Sequence, residues 1–235
     1  MQSLIAAFKY LTVWGRLAPK QPRPESIGAA AAYFPVVGLF LGLLLALFNY
    51  GAGLYLESQL LSIFLIGILL IATGAIHCDG VKKTFDALLV DRIRGARVGE
   101  STFGSIAVLL LILCKIRAID VLDDKIALSL LLTPAFARWT LVIFICGYHD
   151  RCEETARRIA ENVSFWHLLV TTIAILGVAF SLLGRKGLWI GLSLSVLALL
   201  GRSLLHRRHA LLTHDNFGAV IEVSEMLTLI LLATL

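Results

Sequence analysis

The chain has 235 residues, of which 58% are apolar and only 16% charged, with a mean hydropathy of +0.86 and a net charge of +5. This exceeds what one soluble core needs and excludes a water-soluble globular domain, while runs that are continuously apolar rather than alternating exclude a strand-built barrel. What remains is a single membrane-embedded domain over 1–235, an all-α polytopic helix bundle; its positive charge suits anionic lipid headgroups, and no aromatic-interleaved basic strip points to nucleic acid.

At the N-terminus, the first fifteen residues have no basic leader and no small-residue cleavage site. Leu4, Ile5, Phe8, Leu11 and Val13 recur at helical spacing around Lys9 and Tyr10, which predicts a helix lying in the membrane interface. After the polar stretch RLAPKQPRPES, apolar runs follow near 34–50, 59–76, 104–119, 126–146, 167–183, 188–205 and 218–235. Each is near the roughly 17–25 residues that cross a bilayer as a helix, so about seven spans are expected.

Loop charges orient the spans. Lys9, Arg16, Lys20 and Arg23 precede the first; Lys82, Lys83, Arg92, Arg94 and Arg97 follow the second; Arg151, Arg157 and Arg158 follow the fourth; Arg207 and Arg208 follow the sixth. The positive-inside rule places all four segments in the cytoplasm, with the N-terminus inside and the C-terminus outside a cytoplasmic (inner) membrane. Cys78, Cys114, Cys146 and Cys152 lack metal-finger spacing and read as packing residues. The spacing of Gly38 and Gly42 suits close helix packing and leaves a homo-oligomer open.

The polar residues worth most attention lie where the second run ends. GAIHCDGVKKTFDALLVD, residues 74–91, carries His77, Asp79, Lys82, Lys83, Asp86 and Asp91 beside hydrocarbon, where such groups are expensive and usually functional. On a helix Asp79, Lys83 and Asp86 share one face, with the lysine between two carboxylates. A second cluster, His214, Asp215, Asn216 and Gly218, precedes the last run. Carboxylates from separate helices at a membrane surface are a usual means of holding Mg²⁺ or Mn²⁺ against a phosphate, and nearby cations suit a diphosphate. Asp215 also suits the N-cap of the last span. Within the spans, Lys115 and Arg138 each require an acid or a polar cavity.

Taken in order, KYLTVWGRLAPK, YFPVVGLFLG, GAIHCDGVKKTFDAL, RVGESTFGSIAVLLLILCKI and THDNFGAVIEVSE resemble the five motifs of the membrane-embedded cobalamin synthases, the adenosylcobinamide-GDP ribazoletransferases. The resemblance runs nearly end to end. It implies a transferase in which the 3'-hydroxyl of alpha-ribazole, or of its 5'-phosphate, attacks the phosphoryl group attached to adenosylcobinamide in adenosylcobinamide-GDP and releases GMP, with a divalent cation. The residues it carries over are His77, Asp79, Gly80, Asp86, Arg97, Gly99, Asp215 and Gly218, with Asp79, Asp86 and Asp215 as metal ligands. It implies catalytic roles for His77, Asp79 and Asp86, and substrate binding by Arg97, Lys115, Arg138, Gly80, Gly99 and Gly218.

The chain departs from the family pattern at Lys83 and Gly95, which replace aspartates, and at Ala87 and His214, which replace glycines. Lys83 then takes a catalytic part in place of a missing metal ion, as a point charge on phosphate. The alternatives are a related transferase of a phosphate-linked alcohol, or a non-catalytic paralogue that binds a cobamide precursor or a partner.

Overall fold

The computed structural model describes residues 2–18, 20–90, 102–122, 125–148, 152–208 and 212–235. Every regular element among them is helical: α1 (Gln2–Leu11), α2 (Val13–Leu17), α3 (Pro24–Gly28), α4 (Phe34–Ala52), α5 (Ser58–Thr73), α6 (Ile76–Val90), α7 (Phe103–Asp120), α8 (Ile126–Ile145), α9 (Glu154–Glu161), α10 (Phe165–Leu183), α11 (Arg185–Arg208) and α12 (His214–Thr234).

Each apolar run of the sequence falls in a helix except 59–76, which breaks at Gly74 and Ala75, and the expected seven spans need qualification. Among the described residues five helices are long and apolar enough to cross a bilayer, namely α4 with the turn before it, α8, α10, α11 and α12, and a sixth span arises if α5 and α6 are counted together. Those two meet at 91°. α7 is 18 residues long and carries Lys115, Arg117 and Asp120 near its C-terminal end.

α8 is the central helix, buried along most of its length, and α4 lies against it. That contact depends on small residues: a Cβ on Gly38 would stand 2.4 Å from the carbonyl oxygen of Pro134, and one on Gly42 would stand 2.2 Å from that of Leu131. α12 fills the other side of α8 and also touches α6 and α7. α10 and α11 form an outer pair with large apolar residues turned outward, among them Phe165, Ile173, Trp189 and Leu200. These are the side chains a lipid-facing wall needs.

α1 buries Ala6, Ala7 and Leu11 against the bundle while Ile5 and, in α2, Trp14 stay exposed, so its packed face is built from smaller residues than the expected stripe. The segments expected to be cytoplasmic converge at one end. Glu153 N–H donates to Leu212 O at 2.8 Å, Tyr148 Oη lies 2.5 Å from His206 Nδ1, and Gly28 packs against Ile159. At the opposite end Ser58 Oγ donates to Asp120 Oδ1 at 2.9 Å and Lys186 reaches the carbonyl of Leu235. All four cysteines are free.

The corner between α5 and α6 turns through two left-handed residues, Gly74 at φ 64° and Ala75 at φ 52°. Gly74 N–H returns to Ile71 O and Ala75 N–H to Leu70 O, which ends α5. Ala75 holds a conformation that costs an L-residue roughly 1–2 kcal/mol. Ala75→Gly is therefore expected to stabilise the protein by about 1 kcal/mol, read as a higher midpoint of thermal unfolding in detergent. An unchanged or lower midpoint would contradict this account of the corner.

Candidate functional site

α6 and α12 meet at the bundle end where the basic segments gather, and two glycines set their separation. A Cβ on Gly80 would stand 2.3 Å from the backbone oxygen of Asp215, and one on Gly218 would stand 3.0 Å from Cα of His77. Asn216, buried at the start of α12, donates through Nδ2 to Thr84 Oγ1 of α6 at 2.9 Å. Its carbonyl oxygen accepts the N–H of Thr213 at 2.8 Å, so the helix cap is Thr213 and Asp215 lies inside the first turn. The N-cap role expected of Asp215 is thereby corrected. Gly80→Ala forces Asp215 away from α6 and is expected to cost about 1–3 kcal/mol of stability. It should also abolish ligand binding at this end; an unchanged midpoint of unfolding would show that the contact gives way freely.

Beside this contact lies a cavity of about 280 Å³ lined by His77, Gly80, His214, Asp215 and Gly218 and closed from the N-terminal side by Tyr10, Lys9 and Ile27. Residues from both sequence clusters thus line one space. The ring of Tyr10 packs edge-on to His214, 5.5 Å between centroids, and burial pushes the Tyr10 phenol well above its ordinary range, which keeps it a neutral donor. Lys83 Nζ is 3.0 Å from Asp215 Oδ1, with side chains 55% and 36% exposed. The pair stands at the surface, open to an incoming anion.

Asp86 behaves differently from the shared-face expectation. It is fully buried, accepting Lys82 Nζ at 2.9 Å and the Gly104 N–H at 2.7 Å. α7 approaches so closely at Gly104 that it covers this flank of α6, and Asp86 serves as the joint between the two helices. Asp79 lies on the exposed face of α6 and is not part of the cavity lining. Among the described residues no group of three or more histidine, cysteine, aspartate or glutamate side chains is placed to hold a metal ion. Asp86 is turned into the α6–α7 contact, whereas Asp79 is exposed on α6 and Asp215 lines the cavity. Arg97 and Gly99, with Asp91, Gly95 and Glu100, lie outside the described residues.

Below the cavity the bundle contains a buried ionic cluster. Lys115 Nζ donates to Glu222 Oε2 at 2.5 Å and to Glu225 Oε2 at 2.6 Å, and Arg138 Nη1 donates to Glu225 Oε1 and to Pro134 O. All four side chains are essentially without solvent exposure. Two cations and two carboxylates balance, as burial in hydrocarbon requires. Lys115 and Arg138 are thus held by glutamates of α12 rather than open to the cavity. His77 Nε2 and Arg138 Nε and Nη2 are also buried, without a hydrogen-bond partner among the described residues. Glu222 and Glu225 were not among the expected site residues. Their signal was available, since they are the only ionisable residues after Gly218 and two intramembrane cations required acids.

Comparison with known proteins gives a consistent result. Residues 3–233 match the family described as cobalamin-5-phosphate synthase. The chain is 34% identical to the adenosylcobinamide-GDP ribazoletransferase of Stutzerimonas stutzeri (strain A1501), with 99% of this chain and 98% of that protein covered. It is 32% identical to the protein of the same name from Pseudomonas putida, with 97% and 96% covered, and 28% identical to that from Geotalea daltonii, with 91% and 89% covered. No solved structure matches the chain.

Proposed function

The chain belongs to the cobalamin-5-phosphate synthase family, and on that premise we propose that it joins alpha-ribazole, or its 5'-phosphate, to adenosylcobinamide-GDP with release of GMP. The observation that carries this reading is the single cavity lined by His77 and Gly80 of α6 and by Asp215 and Gly218 of α12. These residues come from separate motifs of the resemblance, and each is matched individually.

In this reading the 3'-hydroxyl oxygen of the alcohol forms a bond to the phosphorus that bears adenosylcobinamide. The bond from that phosphorus to the bridging oxygen breaks, and GMP departs with the bridging oxygen. The hydroxyl proton passes to Asp215, which lines the cavity and whose carboxylate is oriented by Lys83. Lys83, more than half exposed, meets the negative charge of the diphosphate as a point charge. Gly80 and Gly218 keep the backbones close enough to leave the cavity narrow. Asp86 and the Lys115–Glu222–Glu225–Arg138 cluster hold α6, α7, α8 and α12 in register and touch no substrate. The basic segments at the site end support a reaction on the cytoplasmic side of an inner membrane, by the positive-inside rule.

A cavity of this size takes the reacting end of the substrates, leaving the corrinoid and guanosine outside the bundle. Mg²⁺ or Mn²⁺ remains an expectation of the family reading.

The same Lys83–Asp215 pair favours a second reading, in which the cation closes the site and the chain binds a cobamide precursor without turnover. Protein reconstituted in nanodiscs, given adenosylcobinamide-GDP, alpha-ribazole and Mg²⁺, with a chelator-treated parallel, separates the two. Under the first reading mass spectrometry shows the coupled cobamide. Bound donor with no coupled product, with and without metal, would establish the second.

A further inference from the structure

Tyr10 lines the cavity at the α6–α12 contact from the side of α1, a helix held in place from several directions. Ala7 and Leu11 have no exposure, and the ring of Phe8 meets that of Phe40 in α4 edge-on, 5.2 Å between centroids. The Tyr10 ring itself contacts Phe34 at 5.8 Å and His214 at 5.5 Å. Two aromatic neighbours from separate parts of the bundle hold the ring, and with it the hydroxyl, to one orientation. That hydroxyl makes no hydrogen bond among the described residues. Other polar groups of the same wall are engaged, Lys9 Nζ with the Lys20 carbonyl at 3.5 Å and Gln21 Nε2 with the Gly15 carbonyl at 2.5 Å. A tyrosine hydroxyl so far out of water normally finds a partner, because leaving it without one costs about 1–3 kcal/mol. Tyr10 is only part-buried, and the cavity it lines is where a ligand can supply that partner.

The chemistry of this space calls for such a donor. Asp215 brings a carboxylate to the same lining, and a carboxylate and an anionic phosphoryl oxygen repel each other across a cavity of about 280 Å³. Lys83 answers that charge at the surface, where it is more than half exposed. We propose that Tyr10 is a further catalytic residue, whose hydroxyl donates a hydrogen bond to a non-bridging oxygen of the phosphorus under attack. The proposal rests on the transferase reading above and deepens it. No proton leaves Tyr10, since burial keeps its phenol protonated, and the acceptor's hydroxyl proton still passes to Asp215. The bond tightens as charge develops on the phosphoryl oxygens, which makes it worth more in the transition state than with the donor merely bound.

The test compares wild type with Tyr10→Phe in nanodiscs. The substitution removes one oxygen and leaves the ring against Phe34 and His214, so the midpoint of thermal unfolding should hold. Single-turnover coupling of alpha-ribazole to adenosylcobinamide-GDP should slow about a hundredfold, while donor affinity measured by calorimetry changes by less than about threefold. A loss confined to donor affinity, or one that comes with a lowered midpoint, would overturn the proposal. The contact is also read without turnover, by replacing Tyr10 with a fluorotyrosine. Its fluorine resonance should move when adenosylcobinamide-GDP binds and stay in place with adenosylcobinamide, which lacks the diphosphate. A resonance that ignores the bound donor, or moves equally with both ligands, would overturn the contact. A resonance that moves only with the donor, in a protein that never couples, would sink the transferase reading alone. Coupling at the same rate in wild type and Tyr10→Phe would sink the role of Tyr10 alone.

Discussion

Glu225→Leu should destabilise the protein by about 3–5 kcal/mol, the cost of leaving buried charge without its partner. Among the described residues Glu225 is the only carboxylate shared by Lys115 of α7 and Arg138 of α8, and it sits in α12, so one side chain links three helices. Its loss leaves Lys115 with Glu222 and removes the one carboxylate bonded to Arg138 among the described residues. Arg138 already has two nitrogens without a partner there. The double variant Arg138→Leu with Glu225→Leu keeps the Lys115–Glu222 pair and removes a matched pair of charges. It should therefore be more stable than Arg138→Leu or Glu225→Leu alone, with a coupling of about 1–3 kcal/mol measured by unfolding in detergent. Additive losses would show that the cluster is not the joint described here. The linkage also bears on function, because the α12 turn that carries Glu222 and Glu225 continues directly from the one that presents Asp215 and Gly218.

Asp215→Asn should lower kcat for ribazole transfer by about a hundred- to ten-thousand-fold, the usual contribution of a positioned proton acceptor, with little effect on the affinity for adenosylcobinamide-GDP. The amide keeps the shape and hydrogen-bonding reach of the carboxylate but neither accepts the proton nor pairs electrostatically with Lys83. Because Thr213 and Asn216 supply the cap, the variant should keep α12 intact, which separates a chemical effect from a folding one. Lys83→Ala is the informative companion. It frees Asp215 while removing the charge proposed to face the diphosphate, so its loss should fall on donor KM as well as on kcat.

Much of the bundle was legible in the sequence because hydrocarbon imposes simple demands: continuous apolar runs became helices, and clustered loop cations marked one end. The cavity was legible through its two polar clusters, since groups so costly beside lipid have to meet. Three features were not. The run 59–76 reads as one straight helix, and nothing in its hydropathy announces that Gly74 and Ala75 both turn left-handed and bend it by 91°. A helical wheel puts Asp86 with Asp79 and Lys83, but it cannot show that α7 comes close enough at Gly104 to bury one flank of that face. For the intramembrane cations, the cost of buried charge calls for acids and the sequence offers Glu222 and Glu225, but only the packing of three helices shows which cation each one meets.

The most direct measurement is single-turnover GMP release from adenosylcobinamide-GDP in nanodiscs, with saturating acceptor, comparing wild type with Asp215→Asn. If transfer takes place in the cavity between α6 and α12, the wild type releases one GMP per active site and the variant releases it at least about a hundredfold more slowly. Release at the wild-type rate by Asp215→Asn, with the donor bound equally well, would contradict the assignment of the reaction to this site.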